Sequence, residues 1–151
     1  MKRKPARRRR RPSPARGVEL KRDLPALPEA AERALQDVMQ ALDDGHCPCG
    51  DLDEVRMALR EALNNAVRHG SHLNPRKRIR LFCRCDPTHG LRIVVRDEGA
   101  GFDPAAVPDP TQPENLERFS GRGIFMIRRL MDEVEFHDAG REIHMRRHCQ
   151  P

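Results

Sequence analysis

The chain has 151 residues and a mass of 17.3 kDa, room for one compact domain and little more. Its net charge of +6 is unevenly placed: residues 1–16 hold nine of the 29 Lys and Arg side chains and none of the 23 acids, leaving 20 basic against 23 acidic groups, a net of −3, in the rest. The basic pI therefore says nothing about nucleic-acid binding by the folded part, and a composition of 37% hydrophobic residues, with Phe the only aromatic, excludes collagen-like and coiled-coil chains.

No run reaches the roughly 18 apolar residues of a membrane span. Pro5, Pro12, Pro14 and further Arg stand where the apolar part of a signal peptide would lie, so export by that route is not expected. Residues 1–17 repel one another, have nothing to bury, and are expected to be a disordered basic tail before a domain over residues 18–148.

Residues 18–22 alternate as a short strand, closed by Pro25 and Pro28. Residues 28–42 place Ala31, Leu35, Val38, Met39 and Leu42 at helical spacing behind Pro28 and Glu29, a suitable first turn. A loop over residues 43–50 follows. The next helical pattern spans residues 52–69, with Leu52, Val55, Leu59, Ala62 and Ala66 on one stripe; Glu61, Asn65 and Arg68 or His69 share an adjoining face, and Gly70 ends it. Residues 79–85 and 91–96 read as strands joined by a turn over residues 86–90. A glycine-rich loop occupies residues 97–101. Residues 102–120 carry four prolines and no period, and their place between two glycine-rich segments reads as a lid. A helix over about 123–131 and a hairpin of strands 134–137 and 142–147 complete the chain. Helices gathered on one face of antiparallel hairpins make an α+β two-layer sandwich.

Five cysteines, with Cys47 and Cys49 and again Cys83 and Cys85 spaced C-x-C, read as reduced thiols of a cytoplasmic protein. A zinc site built from Cys47, Cys49, Cys83 and Cys85 is the alternative.

Three segments carry chemistry: E-A-L-N-N-A-V-R-H-G at 61–70, D-E-G-A-G-F-D at 97–103 and S-G-R-G-I-F-M-I at 120–127. Each alone is weak; in this order, on a helix, at a strand end and at a helix start, they are a strong signal. With them the chain, over about residues 18–147, resembles the GHKL superfamily of ATP-binding domains, which includes histidine kinases, type II topoisomerases and chaperones. Within it the chain is most similar to the small stand-alone anti-sigma-factor serine/threonine kinases. The resemblance implies a Bergerat-type sandwich with a mixed, mostly antiparallel sheet and an ATP lid, with ATP and Mg²⁺ bound.

Residue by residue, Asn65 matches the family's metal-binding Asn; from the helix alone it is a surface amide. Glu61, one turn earlier, resembles the general base that prepares a hydroxyl for attack on the γ-phosphate. No basic residue stands three or four places from it, so a helix ion pair does not explain it. Asp97 resembles the adenine anchor, with a capped tight turn as the alternative, and Gly99 and Gly101 let the backbone approach the base. Gly121 and Gly123 precede a helix whose free N–H groups suit phosphate. Arg122 and Arg118 either touch phosphate or are solvated lid charges, and Phe119 before Ser120 departs from the family pattern. The implied nucleotide-binding set is thus Asn65, Asp97, Gly99, Gly101, Phe102, Ser120, Gly121, Arg122, Gly123 and Ile124, with Glu61 catalytic and Asn65 on the metal. His69 needs no catalytic role at the helix end.

The resemblance further implies partner switching: the protein holds a sigma factor and phosphorylates a STAS-type anti-sigma-factor antagonist on Ser or Thr. It also implies a homodimer, for which no patch is legible. A non-catalytic ATP-gated switch and a histidine-kinase-like ATPase module are the alternatives. A nucleic-acid-associated ATPase has only the Arg tail behind it.

Overall fold

The computed structural model describes residues 17–106 and 122–149. The element order is β1 (Val18–Pro25), α1 (Pro28–Asp44), α2 (Leu52–Asn65), a π-helical turn (Ala66–Gly70), β2 (Arg78–Asp86), β3 (Gly90–Arg96), a 3-10 turn (Pro104–Ala106), α3 (Arg122–Leu130), β4 (Glu133–His137) and β5 (Glu142–Arg147). The strands form one sheet in the order β1-β2-β3-β5-β4. All four pairings are antiparallel, where a mixed, mostly antiparallel sheet was expected.

The period-2 pattern of the central strands decides which face is covered. Ile79, Leu81, Cys83 and Cys85 of β2, Leu91, Ile93 and Val95 of β3, and Ile143 and Met145 of β5 are all buried. Against them lie the apolar stripes of the helices: Ala31, Leu35, Val38, Met39 and Leu42 of α1, Val55, Leu59, Ala62 and Leu63 of α2, and Ile127 of α3. The other face carries Lys21, Arg80, Arg84 and Arg92, all exposed, so the molecule has two layers.

Local chemistry sets the element ends. Pro28 opens α1 without a side-chain cap. The Asp51 carboxylate accepts the Asp53 N–H at 2.8 Å and caps α2. In the β2–β3 turn the Asp86 carboxylate accepts the N–H groups of Thr88 (3.0 Å) and His89 (2.7 Å). The His89 N–H is the main reason the Asp86 pKa lies below its ordinary value.

Two further findings differ from the sequence reading. The α-helix expected to reach residue 69 ends at Asn65 and passes into the π turn, in which the Ser71 N–H donates to the Ala66 carbonyl at 2.9 Å. The cysteines are also not all reduced thiols. Cys47 is joined to Cys85 (S–S 2.07 Å) and Cys49 to Cys149 (2.01 Å). Cys83 alone is free. It sits deep under the helices, where burial pushes its thiol up to about 12, and its place beside the others in the expected zinc set is taken by Cys149. All but Gly17 of the tail expected over residues 1–17, and most of the expected lid, lie outside the described residues.

Candidate functional site

The helix α2, its π turn, the end of β3, the start of α3 and the β4–β5 hairpin surround a cavity of about 700 Å³, the size of a small-molecule site. Its apolar wall includes Ala62, Ala66, Val95, Ile124, Phe136 and Ile143; its polar groups include Glu61, Asn65, Asp97, Asp103 and Arg141.

One end is built by helical spacing. Glu61 and Asn65, four residues apart on α2, both line the cavity. The first turn of α3 is laid against them: a Cβ on Gly123 would stand 2.7 Å from Glu61 Oε2 and 3.5 Å from both terminal atoms of Asn65. Glycine at 123 therefore permits the first turn of α3 to meet a carboxylate and a carboxamide in one place. Among the described residues, Glu61 makes no ion pair.

The other end is built by backbone approach. Asp97 follows β3, and its N–H donates to the Arg141 carbonyl at 2.9 Å while its Oδ1 accepts the Gly99 N–H at 2.7 Å. A Cβ on Gly70 would collide with the Asp97 carboxylate, and one on Gly99 with the Gly70 carbonyl oxygen. Two glycines 29 positions apart are thus needed for the π turn and the loop after β3 to touch. Burial raises the Asp97 pKa above the usual carboxylate value, against the opposing pull of the Gly99 N–H, Arg141, Lys77 and Arg96.

Of the residues expected from the sequence, the structure brings Glu61, Asn65, Asp97, Gly101, Phe102, Gly123 and Ile124 to the cavity wall. Gly99 is buried behind Asp97 and supports it rather than lining the space. Arg122 is exposed and is not among the described lining residues. Ser120, Gly121 and Arg118 lie outside the described residues. Sequence reasoning missed Arg141. Its Nε donates to the Gly99 carbonyl at 2.7 Å and a terminal nitrogen donates to the Ala100 carbonyl at 3.2 Å, which holds the loop against the hairpin. Phe136, packed edge-on to Phe102 at 5.4 Å between centroids, was missed as well. Neither lies in a local motif; Arg141 arrives because β5 pairs with β3 in the register Arg96 to Glu142, and Phe136 because β4 pairs with β5 and sets it opposite Ile143.

A family model described as the histidine kinase-like ATPase domain matches residues 24–147. Among curated relatives, an anti-sigma F factor of Oceanobacillus iheyensis is 35% identical over 88 residues, covering 56% of this chain and 59% of that protein. A serine-protein kinase RsbW of Staphylococcus epidermidis is 33% identical over 90 residues, 56% of this chain and 57% of the relative. A serine-protein kinase RsbW of Staphylococcus aureus is 30% identical over 107 residues, 66% and 67% respectively. The matches span less than two thirds of the length of the first two relatives. The cavity with its α2 carboxylate and carboxamide, the glycine-framed loop after β3 and the extent of the family match together place this chain in the histidine kinase-like ATPase family.

Proposed function

We propose that the chain is an ATP- and Mg²⁺-dependent protein serine/threonine kinase that also acts as an anti-sigma factor and phosphorylates a STAS-type antagonist. The observation that carries this reading is the meeting of Glu61, Asn65 and the start of α3 at one end of a cavity whose other end holds a half-buried carboxylate. The names of the relatives, an anti-sigma F factor and a serine-protein kinase, support the anti-sigma and serine-kinase parts of this reading.

The residues present suit both ligands. Asp97 Oδ2 is the acceptor for an exocyclic adenine amine, since Oδ1 is already engaged by the Gly99 N–H. Selectivity for adenine over guanine follows, because guanine presents a carbonyl there and would face a carboxylate with no proton between them. The apolar wall takes the base, and the N–H groups of Gly123 and Ile124 in the first turn of α3 take phosphate oxygens. The Asn65 side-chain oxygen is the hard, neutral donor that Mg²⁺ accepts, and the ion supplies charge neutralisation on the phosphates. Glu61 receives the hydroxyl proton of the acceptor Ser or Thr as its oxygen bonds to the γ-phosphorus and ADP departs.

The test is transfer of labelled γ-phosphate from ATP to the cognate antagonist. Glu61→Ala is expected to lose at least about 100-fold in transfer rate while still binding nucleotide, the range for loss of a general base. Asn65→Ala should lose transfer together with Mg²⁺-dependent binding. Undiminished phosphorylation by either variant overturns the assigned roles. Nucleotide binding by the unaltered chain with no transfer would replace the kinase by a non-catalytic switch.

A further inference from the structure

We infer that Cys47, Cys49, Cys85 and Cys149 constitute one four-sulfur metal site that takes a zinc ion when the thiols are reduced. The two cross-links are not separate staples. Cys49 Sγ lies 3.6 Å from Cys85 Sγ, so a sulfur of one disulfide touches a sulfur of the other. The sulfurs of Cys47, Cys49 and Cys85 all fall within 4.8 Å of one another, and Cys149 is bonded to Cys49. A tetrahedral zinc thiolate, with Zn–S near 2.3 Å, has sulfur–sulfur edges of about 3.8 Å. The Cys49–Cys85 spacing is already close to such an edge, and reduction frees the bonded pairs to take the same separation.

The surroundings fit a closed structural site. Its ligands come from three parts of the fold: the loop between α1 and α2, the end of β2, and the residues after β5. Cys49 and Cys85 are fully buried and Cys47 and Cys149 half-buried, which leaves no open coordination position for substrate. An all-sulfur set selects zinc or an iron centre over Mg²⁺ or Ca²⁺. Four thiolates and Zn²⁺ sum to a charge of −2, and the turn after Cys49 packs against an Arg147–Glu54 ion pair. The Arg147 guanidinium lies 3.6 to 3.7 Å from the Cβ position of Gly50, directly after Cys49, and is held there by the Asp51 carbonyl and Glu54. Gly50 itself has φ +79°, the left-handed turn that leads the chain from Cys49 into α2.

The site lies at the far end of β3 from the nucleotide cavity: Cys85 is paired with Leu91, and Asp97 follows the opposite end of the strand. Six residues of extended chain separate those ends by about 20 Å. Its role is therefore to pin the chain after β5 and the α1–α2 loop to the sheet, and it is independent of the kinase reading.

The conversion balances. Two equivalents of a phosphine reductant and two of water turn the two S–S bonds into four thiols and two phosphine oxides, and zinc then displaces four thiol protons. The experiment uses the full chain, reduced with a phosphine under nitrogen and titrated with Co²⁺ and then Zn²⁺. One Co²⁺ per chain with the intense thiolate charge-transfer and tetrahedral ligand-field bands, displaced by one Zn²⁺, is the expected result. Cys149→Ser should weaken Zn²⁺ binding at least about tenfold, whereas Cys83→Ala leaves it unchanged. Absence of tetrahedral Co²⁺ bands in the unaltered reduced chain overturns the proposal, as does iron in place of zinc in protein isolated reduced. So does a Cys83→Ala variant that loses the metal while Cys149→Ser keeps it.

Discussion

Replacing Asp97 by Asn removes a charge from the cavity while leaving the shape of the side chain nearly unchanged. Oδ1 is committed to the Gly99 N–H at 2.7 Å, and an Asn oxygen can keep that bond. The amide nitrogen then occupies the Oδ2 position and presents a donor to the adenine amine, which is itself a donor. The charge-assisted hydrogen bond is lost and replaced by a mismatch. Hydrogen bonds to charged groups are worth about 1.5 to 3 kcal/mol, so ATP affinity should fall by about 10- to 150-fold. Calorimetric titration with a non-hydrolysable ATP analogue and its guanine counterpart gives the measurement, and the loss should fall on the adenine nucleotide alone. A pH series supplies an independent arm. Burial raises the Asp97 pKa in the folded protein, so the carboxylate begins to protonate at a higher pH than a free Asp. As the pH drops through that raised value the negative charge is lost and a proton on Oδ2 faces the adenine amine, so affinity of the unaltered chain falls; Asp97→Asn should show no such fall. The sign for stability is opposite. The folded state binds this proton more tightly than the unfolded chain, so the contribution of Asp97 to stability is greatest at low pH and declines as pH rises through the folded pKa. An ATP affinity for Asp97→Asn within threefold of the unaltered chain, or equal losses for both nucleotides, would refute the adenine-anchor assignment.

Other perturbations test the scaffold. Gly99→Ala puts a methyl group into the Gly70 carbonyl oxygen, backbone against backbone, and should cost at least about 2 kcal/mol in urea unfolding; unchanged stability would mean that the two segments do not touch. Arg141→Ala removes the bonds to the Gly99 and Ala100 carbonyls and should weaken ATP binding about tenfold, with the two freed carbonyls costing about 1 kcal/mol each; hydrogen exchange should quicken in residues 98–101. Leu59→Ala, in the fully buried stripe of α2, should lower stability by about 2 to 5 kcal/mol, read as a lower urea midpoint with an unchanged slope.

Much of the architecture is legible locally because its causes are local. The stripe from Ala31 to Leu42 is a helix in any context that offers one apolar surface, and all five of its expected residues are buried. The alternation of β2 and β3 and the Asp86 turn between them announce a hairpin. Glu61 and Asn65 share a helix face through their spacing alone. The end of α2 was less legible. Ala66 to Gly70 has helical composition, and only the close approach of Asp97 to Gly70 accompanies the change to a π turn.

Contacts between distant parts of the chain were decided by tertiary structure. Arg141 reaches the loop after β3 because β5 lies between β3 and β4, an order that no local pattern encodes. The cysteines show the same division. Their C-x-C spacing pointed to Cys83 as a companion of Cys85, but burial under the helices sets Cys83 apart while the chain after β5 delivers Cys149, 100 residues from its partner Cys49. Residue type and short-range spacing determine which groups can act and which face of an element they share; strand order determines which of those groups meet, because it alone brings together residues that the sequence keeps far apart.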